Sequence, residues 1–175
     1  MTTKDSFEIG IKIIGLIIAG FGVWKYFDER AVEKETLSYE RSLTYISRFN
    51  DKQFVTARQT LLGFWQQYPS VGEAIRENKI TPNSYPMVIT RIYGSSLNRN
   101  DIDGALFTMA AFFHEISHCR ESSICNQEIL DEFFCDYSKR FSMAYAPFYK
   151  IISDEIGSKR LMDAPMQRLA ATCTP

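Results

Sequence analysis

The segment Phe112-Phe113-His114-Glu115-Ile116-Ser117-His118 holds the pattern H-E-x-x-H and both histidines of the chain. Residues four apart share one face of a helix, so imidazoles at that spacing can ligate a single zinc ion. A glutamate directly after the first histidine then stands where it can polarise a metal-bound water, as in metal-dependent hydrolysis. On this reading His114 and His118 are ligands, Glu115 is the base and zinc is the cofactor. A third protein ligand is required. Downstream candidates are Glu121, Glu128, Asp131 and Glu132, with Cys125 as a softer donor. Glu132 is favoured because it falls on the second helix of an expected hairpin.

The surroundings weigh against that chemistry. The chain has no third histidine, so the longer spacings that make zinc-protease motifs specific are missing. No strand is expected that would hold an extended peptide in a cleft. Phe112, Phe113 and Ile116 mark the helix as packing material. A structural helix is therefore the expectation, with no catalytic residue, and a membrane-anchored zinc hydrolase is the alternative.

Other constellations are weaker. "RNDIDGALF" matches a calcium loop at Asp101, Asp103 and Gly104, but Arg99 and Ala110 stand where its end carboxylates belong. Asp101 or Asp103 as an N-cap explains that stretch. Cys119 follows His118 directly, and adjacent helical residues do not face one another. No glycine-rich phosphate loop is present.

The elements around these residues follow from periodicity and breakers. Strand alternation is nearly absent, so the expected fold is all-α: an amino-terminal transmembrane helix followed by a helical bundle. The segment "IGIKIIGLIIAGFGVW", widened to Phe7 and Phe27, approaches the ~20 residues that span a bilayer. Lys12 can snorkel, and Trp24, Tyr26 and Phe27 form an aromatic anchor. Gly15, Ala19 and Gly22 make one stripe of small residues through which two such helices can approach closely. Residues 1–27 are thus read as a membrane anchor with a short tail.

Residues 28–50 read as a juxtamembrane helix, free of Pro and Gly. Val32, Tyr39 and Ile46 recur every seven residues with Thr36 and Leu43 between them. That pattern is too short and polar for a self-standing coiled coil, and it equally suits packing on the chain's own domain. Residues 51–157 read as the bundle. Asp51 starts a helix and Pro69 stops it; a short helix follows over 70–80, another from Pro86, an apolar one from Ala105, and a long one from Gln127 that Pro147 should kink or end. Residues 158–175 read as a weakly structured tail.

Composition limits the partners. Of 175 residues, 23% are charged and 45% hydrophobic, with a net charge of −1, as in an ordinary folded protein. The basic residues form no stripe, so nucleic acid is not an expected partner. The four cysteines contain no C-x-x-C pair and are expected to be free thiols in a reducing compartment. Lys25, Arg30, Lys34 and Arg41 after the span, against Lys4 and Lys12 before or within it, put the carboxy-terminal domain in the cytoplasm by the same expectation.

Residues 89–149 carry an apolar helix with Phe112, Phe113 and Glu115, a polar break, then Ile129, Leu130, Glu132, Phe133 and Phe134, and an aromatic helix reaching Tyr145 and Pro147. This pattern resembles a family of small bacterial proteins of unknown function with one amino-terminal span and a helical cytoplasmic domain. The resemblance implies a bacterial inner-membrane location and assigns Glu115 to a hairpin core; it transfers no chemistry. The expected function is non-catalytic: an accessory or regulatory subunit, or a self-associating module, with the lipid bilayer and a protein partner or second copy as its contacts.

Overall fold

The computed structural model describes residues 3–157 and 163–172, with side chains from residue 20 onward. Among these residues there are seven helices and no strand: α1 (Thr3–Arg48), α2 (Lys52–Gln66), α3 (Pro69–Arg76), α4 (Tyr85–Gly94), α5 (Arg99–Glu121), α6 (Gln127–Glu155) and α7 (Ala164–Thr172). The all-α expectation holds.

The core is built around α5. Helices α2, α6 and α7 all pack against it, so it buries Ile102, Leu106, Met109, Phe112, Phe113 and Ile116 on more than one face. The Phe112 ring lies 4.5 Å from Phe54, 5.4 Å from Phe49 just after α1, 5.7 Å from Phe134 and 6.3 Å from Tyr45, joining α1, α2, α5 and α6 in one aromatic cluster. On α2 the buried face is Phe54, Ala57, Leu61 and Phe64, a 3–4–3 spacing. Trp65, beside that face, is only partly buried and donates its indole N–H to the Tyr145 hydroxyl at 2.8 Å.

Several boundaries differ from expectation. Helix α5 begins at Arg99, not Ala105, with Asn98 at its N-cap position and Asp101 in the first turn, where a carboxylate complements the helix dipole. Asp103 is therefore helical, and it accepts a hydrogen bond from the Tyr93 hydroxyl. Helix α6 runs through Pro147 to Glu155. Proline removes one backbone donor and strains the turn before it, and there the Tyr85 hydroxyl donates to the Ala144 carbonyl at 2.7 Å. Within 158–175, Ala164–Thr172 forms a helix that buries Met166 and Leu169.

The cysteines correct the free-thiol expectation. Cys119 and Cys125 form a disulfide with their Cα atoms 5.4 Å apart, Cys135 is disulfide-bonded as well, and no described cysteine is free. After α5 the chain reverses through Ser123, whose φ is 54°, and the N–H groups of Ile124 and Cys125 both donate to the Cys119 carbonyl. That turn carries Cys125 back over the helix end it has just left.

Among the described residues no helix is long and apolar enough to cross a membrane. Residues 7–19 of the expected span belong to the part of α1 whose side chains lie outside the description.

Candidate functional site

On α5 the seven residues of the H-E-x-x-H segment divide cleanly by burial. Phe112, Phe113, Ile116 and Ser117 face inward, while His114, Glu115 and His118 are exposed. The division is the helical period at work: 112, 113, 116 and 117 lie on the side turned into the core, and 114, 115 and 118 on the outer side. Glu115 accepts a hydrogen bond from Arg48 Nη1 on α1 at 2.8 Å, so the carboxylate that the hydrolase alternative would use as base is engaged in an ion pair between helices.

The proposed third ligands are dispersed. Asp131 accepts from Nε and Nη2 of Arg120, at 2.7 and 2.8 Å, and clasps the end of α5 to the start of α6. Glu121 accepts from Ser117 and lies 3.3 Å from Arg168 on α7. Cys125 is consumed by its disulfide and is no thiolate donor. Glu132 and Glu128 are exposed on α6. Among the described residues no group of three or more His, Cys, Asp or Glu side chains is arranged to hold a metal ion.

A second charged cluster lies at the opposite end of α5. Arg99 covers the buried Tyr93 ring at 4.7 Å and pairs with Glu155 on α6. Burial and the Asp103 carboxylate push the Tyr93 hydroxyl well above its ordinary range, while the hydrogen bond from Arg99 pulls the Glu155 carboxyl down. Every charge here has a partner, and the effect is to lock α4, α5 and α6 together. The Asp101–Gly104 stretch that matches a calcium loop is helical.

One open groove of about 530 Å³ runs between α2 and the start of α5. Its polar lining includes Gln53, Thr60, Gln67, Asn98 and Thr108, and Asp101 is its one charged residue. No acid–base pair or nucleophile with a neighbouring base faces it.

The most unusual surface belongs to α1. Its last turns join the domain: Ser42 is fully buried, its hydroxyl oxygen accepts the Asn126 N–H at 2.8 Å, and Phe49 enters the aromatic cluster. Asn126 in turn caps α6 by accepting from the Ile129 N–H at 3.1 Å. From residue 20 to residue 37, by contrast, every residue of α1 is exposed. Phe21, Trp24 and Phe27 are each more than 60% exposed. Of the small-residue stripe, Gly22 is exposed with open space around it, and Gly15 and Ala19 lie outside the described side chains. Comparison of the chain with protein-family models, curated proteins and solved structures gives no match.

Proposed function

We propose that the chain is a single-pass membrane protein whose helical domain, carried on α1, acts by protein contact as an accessory or regulatory subunit. One observation carries this reading. A helix exposed on all faces over residues 20–37, with Phe21, Trp24 and Phe27 uncovered by the domain, needs another environment for those side chains. A bilayer supplies it. The uncharged run from Ile13 to Trp24 matches the requirement for a span, and Trp24, Tyr26 and Phe27 suit its interface.

The domain's side of the membrane follows from a different feature. The expectation of a cytoplasmic domain drew on a modest Lys/Arg bias and on reduced thiols. With Cys119 bonded to Cys125 and Cys135 also oxidised, the second support is gone. Structural disulfides form and persist in oxidising compartments. The proposal keeps the single span and moves the domain to the outer, oxidising face.

Alkaline carbonate extraction of membranes containing the full chain tests the anchor. The full chain stays in the pellet, and a chain lacking residues 1–27 is released in folded form. Complete extraction of the full chain would overturn the proposal. Thiol alkylation of intact cells before reduction reports the side: the cysteines are blocked from labelling until a reductant is added.

A further inference from the structure

The sevenfold pattern on α1 is compatible with two partners, the chain's own domain or another helix, and the structure separates them. Ile46 packs against the domain core. Val32, Tyr39 and Leu43 remain 58%, 49% and 44% exposed. Thr36 completes their stripe; its hydroxyl is bound to the Val32 carbonyl at 3.0 Å, so its polar group is already satisfied. Residues 32, 36, 39 and 43 alternate in steps of four and three, which is the core spacing of a two-helix coiled coil.

The charges beside that stripe are all of one sign. Asp28, Glu33, Glu35 and Glu40 occupy the positions that flank the core seam, and Arg30, Lys34 and Arg41 lie on the opposite side of the helix. None of the four acids is in an ion pair among the described residues. Flanking charges select the partner of a coiled coil. Pairing α1 with a second copy sets acid against acid in either direction. In parallel, Asp28 meets Glu33 and Glu35 meets Glu40; in antiparallel, the same four meet their own kind. An anionic membrane surface is repelled for the same reason.

We infer that the Val32–Leu43 face of α1 is the docking surface for a partner helix of complementary chemistry: apolar residues at alternating three- and four-residue spacing, flanked by Lys or Arg. Seam and flanking acids together span residues 28–43, about 24 Å of helix. The core position before Val32 is Glu29, which pairs with Lys25 at 3.6 Å, so the apolar seam itself starts at Val32. Two heptads bind weakly in free solution, and a partner held beside α1 in the same membrane gains from raised local concentration. This deepens the reading above by naming the chemistry of the partner, and it rests on that reading for the partner's proximity.

Binding of two labelled three-heptad peptides to the detergent-solubilised full chain tests the surface. Both peptides carry Leu at the core positions; one has Lys at every flanking position and the other Glu. The Lys peptide binds at least about ten-fold tighter, since several flanking pairs change from repulsive to attractive. Glu33→Lys/Glu35→Lys/Glu40→Lys reverses the order, and Val32→Ser/Tyr39→Ser/Leu43→Ser abolishes binding of both. Circular dichroism confirms that each variant is folded, as expected for substitutions on an exposed face. Equal binding of the two peptides overturns the inference. So does undiminished Lys-peptide binding to the serine variant, which would mean charge attraction alone, or a self-dimer that the serine variant dissolves. The assay is blind to whether residues 7–27 cross a bilayer, so failure of the anchor and failure of the surface are read separately.

Discussion

Arg48 on α1 donates through Nη1 to Oε2 of Glu115 on α5 at 2.8 Å, tying the would-be catalytic glutamate to the helix that carries the domain. Both side chains are more than a third exposed, at 37% and 45%, so the pair contributes less than about 1 kcal/mol. Its meaning is positional. It holds α1 against α5 one residue before Phe49 enters the core.

The same relationship sets the expectation for metal. With Glu115 paired, Cys125 oxidised and Asp131 clasped by Arg120, the purified chain carries less than about 0.2 zinc per molecule, unchanged by His118→Ala. Atomic absorption is sufficient. Near-stoichiometric zinc that His118→Ala removes would restore the hydrolase alternative.

Phe112 is the hinge of the aromatic cluster, in ring contact with α1, α2, α5 and α6. Phe112→Ala destabilises the domain by about 3–5 kcal/mol, the usual cost of deleting a buried ring. Phe133, half exposed on α6, costs a fraction of that when truncated. Urea unfolding followed by tryptophan fluorescence compares the two, and equal losses would mean the core is not centred on Phe112.

The Cys119–Cys125 bond closes a short loop, with a sequence separation of 6. Chain-entropy reasoning gives it about 2 kcal/mol. Cys119→Ser/Cys125→Ser lowers the unfolding free energy by that order, and its electrophoretic mobility without reductant separates it from the native chain. No stability difference would mean the loop is held by its backbone bonds alone.

Asp163 is almost fully buried, and among the described residues its Oδ1 has no hydrogen-bond partner. Burial raises its carboxyl above the ordinary range, against the opposing pull of the Gln167 amide, which donates to Oδ2 at 2.7 Å. A raised folded-state value means the folded chain holds the proton more tightly than the unfolded chain. The stability this contributes is full below the ordinary carboxyl range and is lost as pH rises through the raised value. Asp163→Asn therefore flattens the fall in stability from acidic to neutral pH and is no less stable than the native chain at pH 7. A marked loss at pH 7 in that variant would show that the charge is needed.

Much of the bundle was legible because breakers and apolar periods agree along the chain. Asp51 sits at the N-cap position of α2, Pro86 lies in the first turn of α4, which starts at Tyr85, and Phe54, Ala57 and Leu61 face inward at helical spacing. Two of the misreadings share a cause: each depends on a contact far along the sequence. The turn before Pro147 is supported by Tyr85, 59 residues from the Ala144 carbonyl its hydroxyl bonds. Helix α7 is short and carries only Met166 and Leu169 as buried residues, and it stands by packing on α5 and α6. The disulfide has no spacing signature; it depends on the left-handed turn at Ser123. At the candidate site the two phenylalanines announced a core helix correctly. The sequence pattern of Val32, Tyr39 and Leu43 was visible, but only burial separates a stripe facing the domain from one facing away.

That outward stripe is where the account is most exposed. A photo-crosslinking residue is placed at Tyr39, and in a second preparation at Lys34 on the opposite side of α1, with the full chain in its native membrane. The account predicts a discrete adduct of higher mass from position 39, lost when Glu33, Glu35 and Glu40 are changed to Lys, and no such adduct from position 34. The same adducts from both positions, or none from position 39, would contradict it.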